Sequence, residues 1–271
     1  MRVGSGSAGQ RWQSFHVFLP RDFDGFLTKC VSPMVERELN EGRVKRFFFI
    51  RYSEGGNHLR LRFLPGSGTK RAAIGHDLTC LTRRFAEESG LEPESCYVLE
   101  EAYDRIALYF GETLLSVYSE LLNEQTSYLA LRILRSGSQS RPLRLVTVGS
   151  ILALLTRRAA RSSEETAGFI DQSCRFAREA LSRMGVTVAH RNRDTTAQLH
   201  SALGRSIPKL SQLLEADSTT DRIARLLTRM RKRQLSGAAV AVHGLHLLCN
   251  KLGVSLTEEH ELFTALCQLV D

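Results

Sequence analysis

Residues 46–63 read RFFFIRYSEGGNHLRLRF, and the fold turns on them. From Arg46 to Tyr52 nearly every residue is aromatic, β-branched or arginine, which is the composition of a strand. Ser53 to Asn57 supply a Gly-Gly turn, and His58 to Leu64 alternate apolar with cationic residues, so the stretch predicts a β-hairpin. Successive strand side chains point to opposite faces. Leu59, Leu61 and Phe63 therefore go into a core, while His58, Arg60 and Arg62 share the other face, roughly 6.6 Å apart. A solvated face, common in antiparallel sheets, is the plain reading of such a stripe. Against it, the stripe carries no Glu, Asp, Ser or Thr, and repulsion among its cations points to a bound anion.

Working outward, WQSFHVFL (Trp12 to Leu19) alternates well enough for a first strand, which Pro20 ends. Phe23, Phe26, Leu27, Cys30 and Val31 recur at helical spacing. Ser32-Pro33 then reads as an N-cap with proline at the first position of a second helical run to Leu39, closed by Gly42. Beyond the hairpin, an amphipathic helix runs from about Lys70 to Ser89 with Ile74, Leu78, Leu81 and Phe85 inward and Gly90 at its C-terminus. Cys96 to Tyr103 (CYVLEEAY) gives a further strand. From there the pattern is helical, at about 112–135, 142–160, 164–184, 194–214, 219–234, 237–252 and 256–270, with Ser255-x-x-Glu258 as a capping box for the last helix. The result is an α+β architecture. An N-terminal antiparallel sheet lobe with flanking helices (about 11–110) is expected to pack on a C-terminal helical lobe (about 111–271). The two form a single domain, 11–271, preceded by a flexible lead-in at 1–10.

Composition bounds the function. With 271 residues and 42% hydrophobic content the chain can bury a sizeable core. Its six cysteines are scattered, with no C-x-x-C pair and no zinc-type grouping, so they read as reduced thiols in a cytosol and no metal is expected. The start MRVGSGSAGQ lacks the apolar region of a signal peptide, and no window approaches the roughly 20 apolar residues of a membrane span. A net charge of +8 favours an anionic partner: an acidic peptide, a carboxylate substrate or nucleic acid.

Two further groups of residues stand out. His243, His246 and Asn250 fall at spacings of three and four, hence on one helix face, with Lys251 beside them; a histidine among Val242, Leu245, Leu247 and Leu248 is alternatively a buried structural side chain. Tyr103-Asp104-Arg105 lies at the joint between sheet lobe and helices, where a lone arginine is ordinarily a surface ion-pair partner. The basic run Arg222 to Arg233 follows an ordinary amphipathic pattern, with Ile223, Leu226, Leu227 and Met230 inward, and is read as a solvated face. No P-loop, G-x-G-x-x-G or G-x-S-x-G occurs, which disfavours nucleotide and serine hydrolysis.

The hairpin resembles the hallmark of the lantibiotic dehydratase C-terminal domain, also found as the thiopeptide-type bacteriocin biosynthesis domain, in which an F-I-R-Y strand and an H-L-R-L-R strand flank a short turn. The resemblance extends through WQSFHVFL and the P-x-V segment at Pro33 to Val35. Tyr103-Asp104-Arg105 followed by Tyr109-Phe110-Gly111 is similar to the family's Y-x-R-E…R-Y-G-G. His246-Leu247-Leu248-Cys249-Asn250-Lys251 is similar to its H-M-x-x-N-R. Ile106, Tyr109, Glu112 and Lys251 depart from the pattern, which leaves the branch open. The family's large glutamylation domain is absent, so the resemblance implies a free-standing partner of a separate glutamylating protein.

What the resemblance implies is a lyase of antibiotic biosynthesis in the cytoplasm. It would eliminate glutamate from glutamylated Ser or Thr of a ribosomally made precursor peptide, leader plus core, to leave dehydroalanine or dehydrobutyrine. Arg60, Arg62 and Arg105 are expected to clamp carboxylate and stabilise enolate charge, with His246 as the acid/base group. Asn250 would orient His246, and Arg51, His58, Asn250 and Lys251 are expected substrate contacts. No cofactor, membrane or direct tRNA binding is expected, and homodimerisation is left open. One alternative is a pyridine synthase performing a formal [4+2] cycloaddition between two dehydroalanines. Another is a non-catalytic partner that binds the leader peptide along a sheet edge.

Overall fold

The hairpin of residues 46–63 is present in the computed structural model, which describes residues 12–67, 71–103, 113–137, 140–186, 193–214, 217–231 and 234–270. Its strands are β2 (Val44–Tyr52) and β3 (His58–Pro65). Between them Gly55 and Gly56 adopt φ of 75° and 106°, the left-handed region that glycine enters without a Cβ penalty, and the Gly56 N–H donates to Ser53 O at 3.1 Å. With β1 (Gln13–Phe18) and β4 (Tyr97–Glu101) the hairpin forms one antiparallel sheet in the order β2-β3-β1-β4. The last strand is shorter than its sequence suggests and pairs with β1.

The chain divides into two units, one comprising residues up to Arg105 together with Leu131–Arg135, the other Ile106–Ala130 and Ser136–Asp271. The expected lead-in, Arg105, Tyr109 and the expected lobe boundary at Gly111 lie outside the described residues.

In the first unit the register decides which side chains meet. Phe15 faces Leu61 and Val17 faces Leu59 across β1 and β3, while Phe47 and Phe49 face Phe63 and Leu61 across the hairpin. All seven are at most 1% exposed, and with Ile74, Leu78 and Phe85 of α3 (Arg71–Glu88) they belong to the core. Each such side chain stabilises the fold by about 1.5–3 kcal/mol relative to its exposed state. Helix α3 comes close to this face: a Cβ added at Gly75 would stand 3.0 Å from Phe15 Cε1.

The segment after β1 corrects one expectation. Ser32 is not an N-cap, for its φ and ψ of −60° and −48° are helical and the chain runs from α1 (Phe23–Phe26) through a π segment (Leu27–Val31) into α2 (Ser32–Asn40). Proline in a helix interior lacks an N–H and its ring meets the carbonyl one turn earlier. The wider π turn just before Pro33, in which the Ser32 N–H reaches back to Leu27 O, lets the helix continue.

The second unit is helical: α4 (Thr113–Arg135), whose last turn belongs to the first unit, then α5 (Arg141–Ala159), α6 (Ser163–Arg183), α7 (Arg193–Leu214), α8 (Ser218–Arg231), α9 (Gln234–Lys251) and α10 (Leu256–Val270). The capping box forms as read: Ser255 N–H donates to Glu258 Oε2 at 2.8 Å and Glu258 N–H to Ser255 Oγ at 3.4 Å. Helix α9 passes close to α4, for a Cβ added at Gly244 would lie 2.0 Å from Leu122 Cδ2. Only glycine allows that approach without displacing Leu122. A turn or two further on, it brings Lys251 Nζ to 2.9 Å from Asn123 Oδ1.

Candidate active site

In the first unit the basic stripe of β3 is flanked on both sides by strand neighbours of the same face. From β1 these are Ser14 beside Arg62, His16 beside Arg60 and Phe18 beside His58; from β2 they are Phe48, Ile50 and Tyr52 in the same order. The face is partly covered: Arg62 is 5% exposed and Ser14 not at all, while Arg60 and His16 are half-buried, so the plain reading of a fully solvated stripe does not hold. His58 stacks on Phe18 with centroids 4.6 Å apart and on His16 at 4.9 Å. Its Nδ1 lies 2.7 Å from Gly56 O and its Nε2 accepts from Arg60 Nε at 3.2 Å, so the neutral ring carries its proton on Nδ1. Arg60 lies 3.4 Å above the Tyr52 ring and meets no carboxylate among the described residues. Arg62 donates to Ser14 Oγ and sits 5.5 Å from the Tyr103 ring centroid.

His16 was not singled out by the sequence. Burial, then the charges of Arg62, Arg60 and His58, lowers its pKa to about 4, and its Nε2 is buried with no hydrogen-bond partner among the described residues. His58 is likewise lowered, by burial first and by Arg60 and Arg62 in part, against the opposing bond to Gly56. Both rings are thus neutral near pH 7. The three expected cations reduce to two, Arg60 and Arg62, held by aromatic and hydroxyl neighbours.

Arg51 does not join them. It pairs with Leu59, not Arg60, so strand alternation puts it on the opposite face, where it forms an ion pair with Asp24 of α1. Arg51, expected as a substrate contact, is thus set apart from the stripe of Arg60 and Arg62.

In the second unit His243, His246 and Asn250 share one face of α9, as their spacing requires. The Nδ1 of His246 lies 2.8 Å from Oε2 of Glu259 on α10. The Glu259 side chain is 1% exposed, that of His246 21%. The Phe176 ring of α6 stands 5.3 Å from that of His246, and His243 lies 6.0 Å from it. Burial, then the charges of His246 and Lys251, lowers the pKa of His243 to about 3. Asn250, expected to orient His246, is half-buried and not bonded to it; Glu259 holds the ring instead. Lys251 is fully enclosed, its pKa driven well down by burial, with Nζ on Asn123 Oδ1. Lys251, expected as a substrate contact, therefore lies inside the helical core.

The depressed histidines fix a pH dependence. His16 and His243 are neutral in the folded chain at pH values where unfolded imidazole, near 6.5, takes a proton. Their contribution to stability is complete above about pH 6.5 and falls as pH drops toward about 4 for His16 and about 3 for His243. Urea midpoints measured from pH 7.5 to 4.5 are expected to decline less in His16→Phe than in the parent. Equal declines would show that His16 is not among the groups responsible.

Among the described residues no group of three His, Cys, Asp or Glu is placed to hold a metal ion, and no helix is long and apolar enough to cross a membrane. A family model described as lantibiotic biosynthesis dehydratase C-term matches residues 12–270. No curated protein matches the chain. Among solved structures it is similar to the tRNA dependent lantibiotic dehydratase MibB from Microbispora sp. 107891, with TM-score 0.66 and 20% identity over 97% of this chain and 28% of that one. It is also similar to TsrL, with TM-score 0.66 and 14% identity over 95% and 93%. The pyridine synthase TbtD from thiomuracin biosynthesis gives TM-score 0.62 and 16% identity over 96% and 97%. The chain thus spans little more than a quarter of MibB and nearly all of the other two, and at these identities the likeness is one of fold.

Proposed function

This chain belongs to the lantibiotic biosynthesis dehydratase C-terminal family, and from that premise we propose that it eliminates glutamate from glutamylated Ser or Thr of a ribosomally made precursor peptide. The observation that carries the reading is the basic sheet face, where half-buried Arg60 meets no carboxylate among the described residues and shares the face with buried Arg62. Guanidinium groups so placed suit a carboxylate ligand, because each can offer two parallel N–H bonds and stays charged. The glutamyl ester brings one free carboxylate and creates a second as it leaves.

A nitrogen of His246 takes the Cα proton, the electron pair left at Cα forms the Cα=Cβ bond, the Cβ–O bond breaks, and glutamate departs as its carboxylate. Arg60 and Arg62 stabilise the charge that develops on the leaving group. The glutamylated peptide is taken to come from a separate glutamylating protein in the same cytoplasm.

Recognition of the carboxylate can be tested on its own. A peptide whose Ser carries a glutaminyl ester, neutral where glutamate is charged, is expected to react roughly 10–100-fold more slowly than the glutamyl ester, the cost of leaving a charged group unpaired. Equal rates would remove the clamp from the account.

A second reading has its own support. The chain covers 97% of TbtD, a pyridine synthase, against 28% of MibB. A cycloaddition enzyme must hold two dehydroalanines in a reactive pose and has no use for a free-carboxylate site. We place it second because of the paired arginines.

A further inference from the structure

Glu259 is buried to 1% exposure, and a carboxylate taken from water without a partner is costly. Among the described residues its one side-chain partner is His246 Nδ1, at 2.8 Å. Its place in the first turn of α10 adds the favourable end of a helix dipole. Cys249 and the neutral His243 are the other titratable groups of α9 near the pair, with the enclosed Lys251 beyond. The His246 ring is thus held by an acceptor on one nitrogen and by Phe176 at its face, 5.3 Å away at 56°. Its second nitrogen has no bonded partner among the described residues.

We propose that Glu259 is the positioning residue of His246: its carboxylate accepts the Nδ1–H bond, fixes that tautomer, and leaves Nε2 as the nitrogen that receives a proton. A carboxylate in this place also stabilises the imidazolium that forms when the proton arrives, as a buried acid does behind a catalytic histidine elsewhere. The role rests on the elimination reading for its purpose, but its structural content does not.

The test is therefore double. In protein with 15N-labelled histidine, the neutral form of His246 is expected to show a protonated Nδ1 and an unprotonated Nε2. Glu259→Ala is expected to lose that preference. Glu259→Gln, which keeps the shape and removes the charge, is expected to lower kcat for glutamate release roughly 10²-fold with KM changed less than threefold, within the range for acid/base assistance. Glu259→Asp should recover part of the loss. A His246 that carries its proton on Nε2 in the parent, or keeps its tautomer unchanged in Glu259→Ala, would overturn the assignment. So would a Gln variant as active as the parent. If the tautomer is as stated but the parent releases no glutamate, the positioning role stands and the elimination reading fails.

Discussion

His246→Gln is expected to lower glutamate elimination by roughly 10²–10⁴-fold, the range for loss of a general base. Glutamine is the informative replacement because its amide can still donate to Glu259, so the buried carboxylate keeps a partner. His246→Ala removes that partner as well and is expected to cost a further amount on the order of 3–5 kcal/mol in stability, as breaking a buried pair does. The two variants separate chemistry from folding. A Gln variant that melts like the parent but leaves glutamylated peptide intact supports the proton-transfer role. One that turns over at the parent rate would return His246 to the class of structural histidines.

Arg60→Ala and Arg62→Ala are expected to accumulate glutamylated peptide, seen by mass spectrometry of the product, with elimination slowed by roughly 10²–10³-fold for each donor lost at the site of developing charge. The two should differ in their effect on the fold. Arg60 stacks on Tyr52 and bonds His58 from a half-buried position, so its removal costs little packing. Arg62 is enclosed and bonded to Ser14, so its truncation leaves a hydroxyl behind and lowers stability as well. Lysine at either position keeps the charge but not the planar fork, and is expected to restore little activity. Fully dehydrated peptide formed at the parent rate in both alanine variants would contradict the clamp.

Much of this arrangement was written in local pattern. The β2–β3 register followed from period-two alternation and a Gly-Gly turn, and the helices of the second unit from their glycine and serine breaks, because both signals act over a few residues. One misreading has a physical cause of the same kind. Ser32-Pro33 looks like a helix start, yet a π turn absorbs the proline and the helix continues. Other features needed tertiary pairing. His16 reaches the stripe only once β1 lies against β3, and no single-strand pattern reports sheet order. Glu259 meets His246 because α9 and α10 fold back on each other after Gly253, and the adjacent capping glutamate, Glu258, is the one that local spacing picks out. The enclosure of Lys251 depends on Gly244 admitting Leu122 of another helix.

Glutamate release from a defined substrate decides whether the chain is an eliminase. The purified protein is given a leader-bearing peptide with a single Ser already esterified by glutamate, and both products are followed by mass spectrometry and glutamate assay. One equivalent of free glutamate and one dehydroalanine per peptide are expected, with both products lost together in His246→Gln and in Arg60→Ala. No glutamate from that substrate, with conversion of a fully dehydrated thiopeptide precursor to a pyridine macrocycle by the same protein, would contradict it.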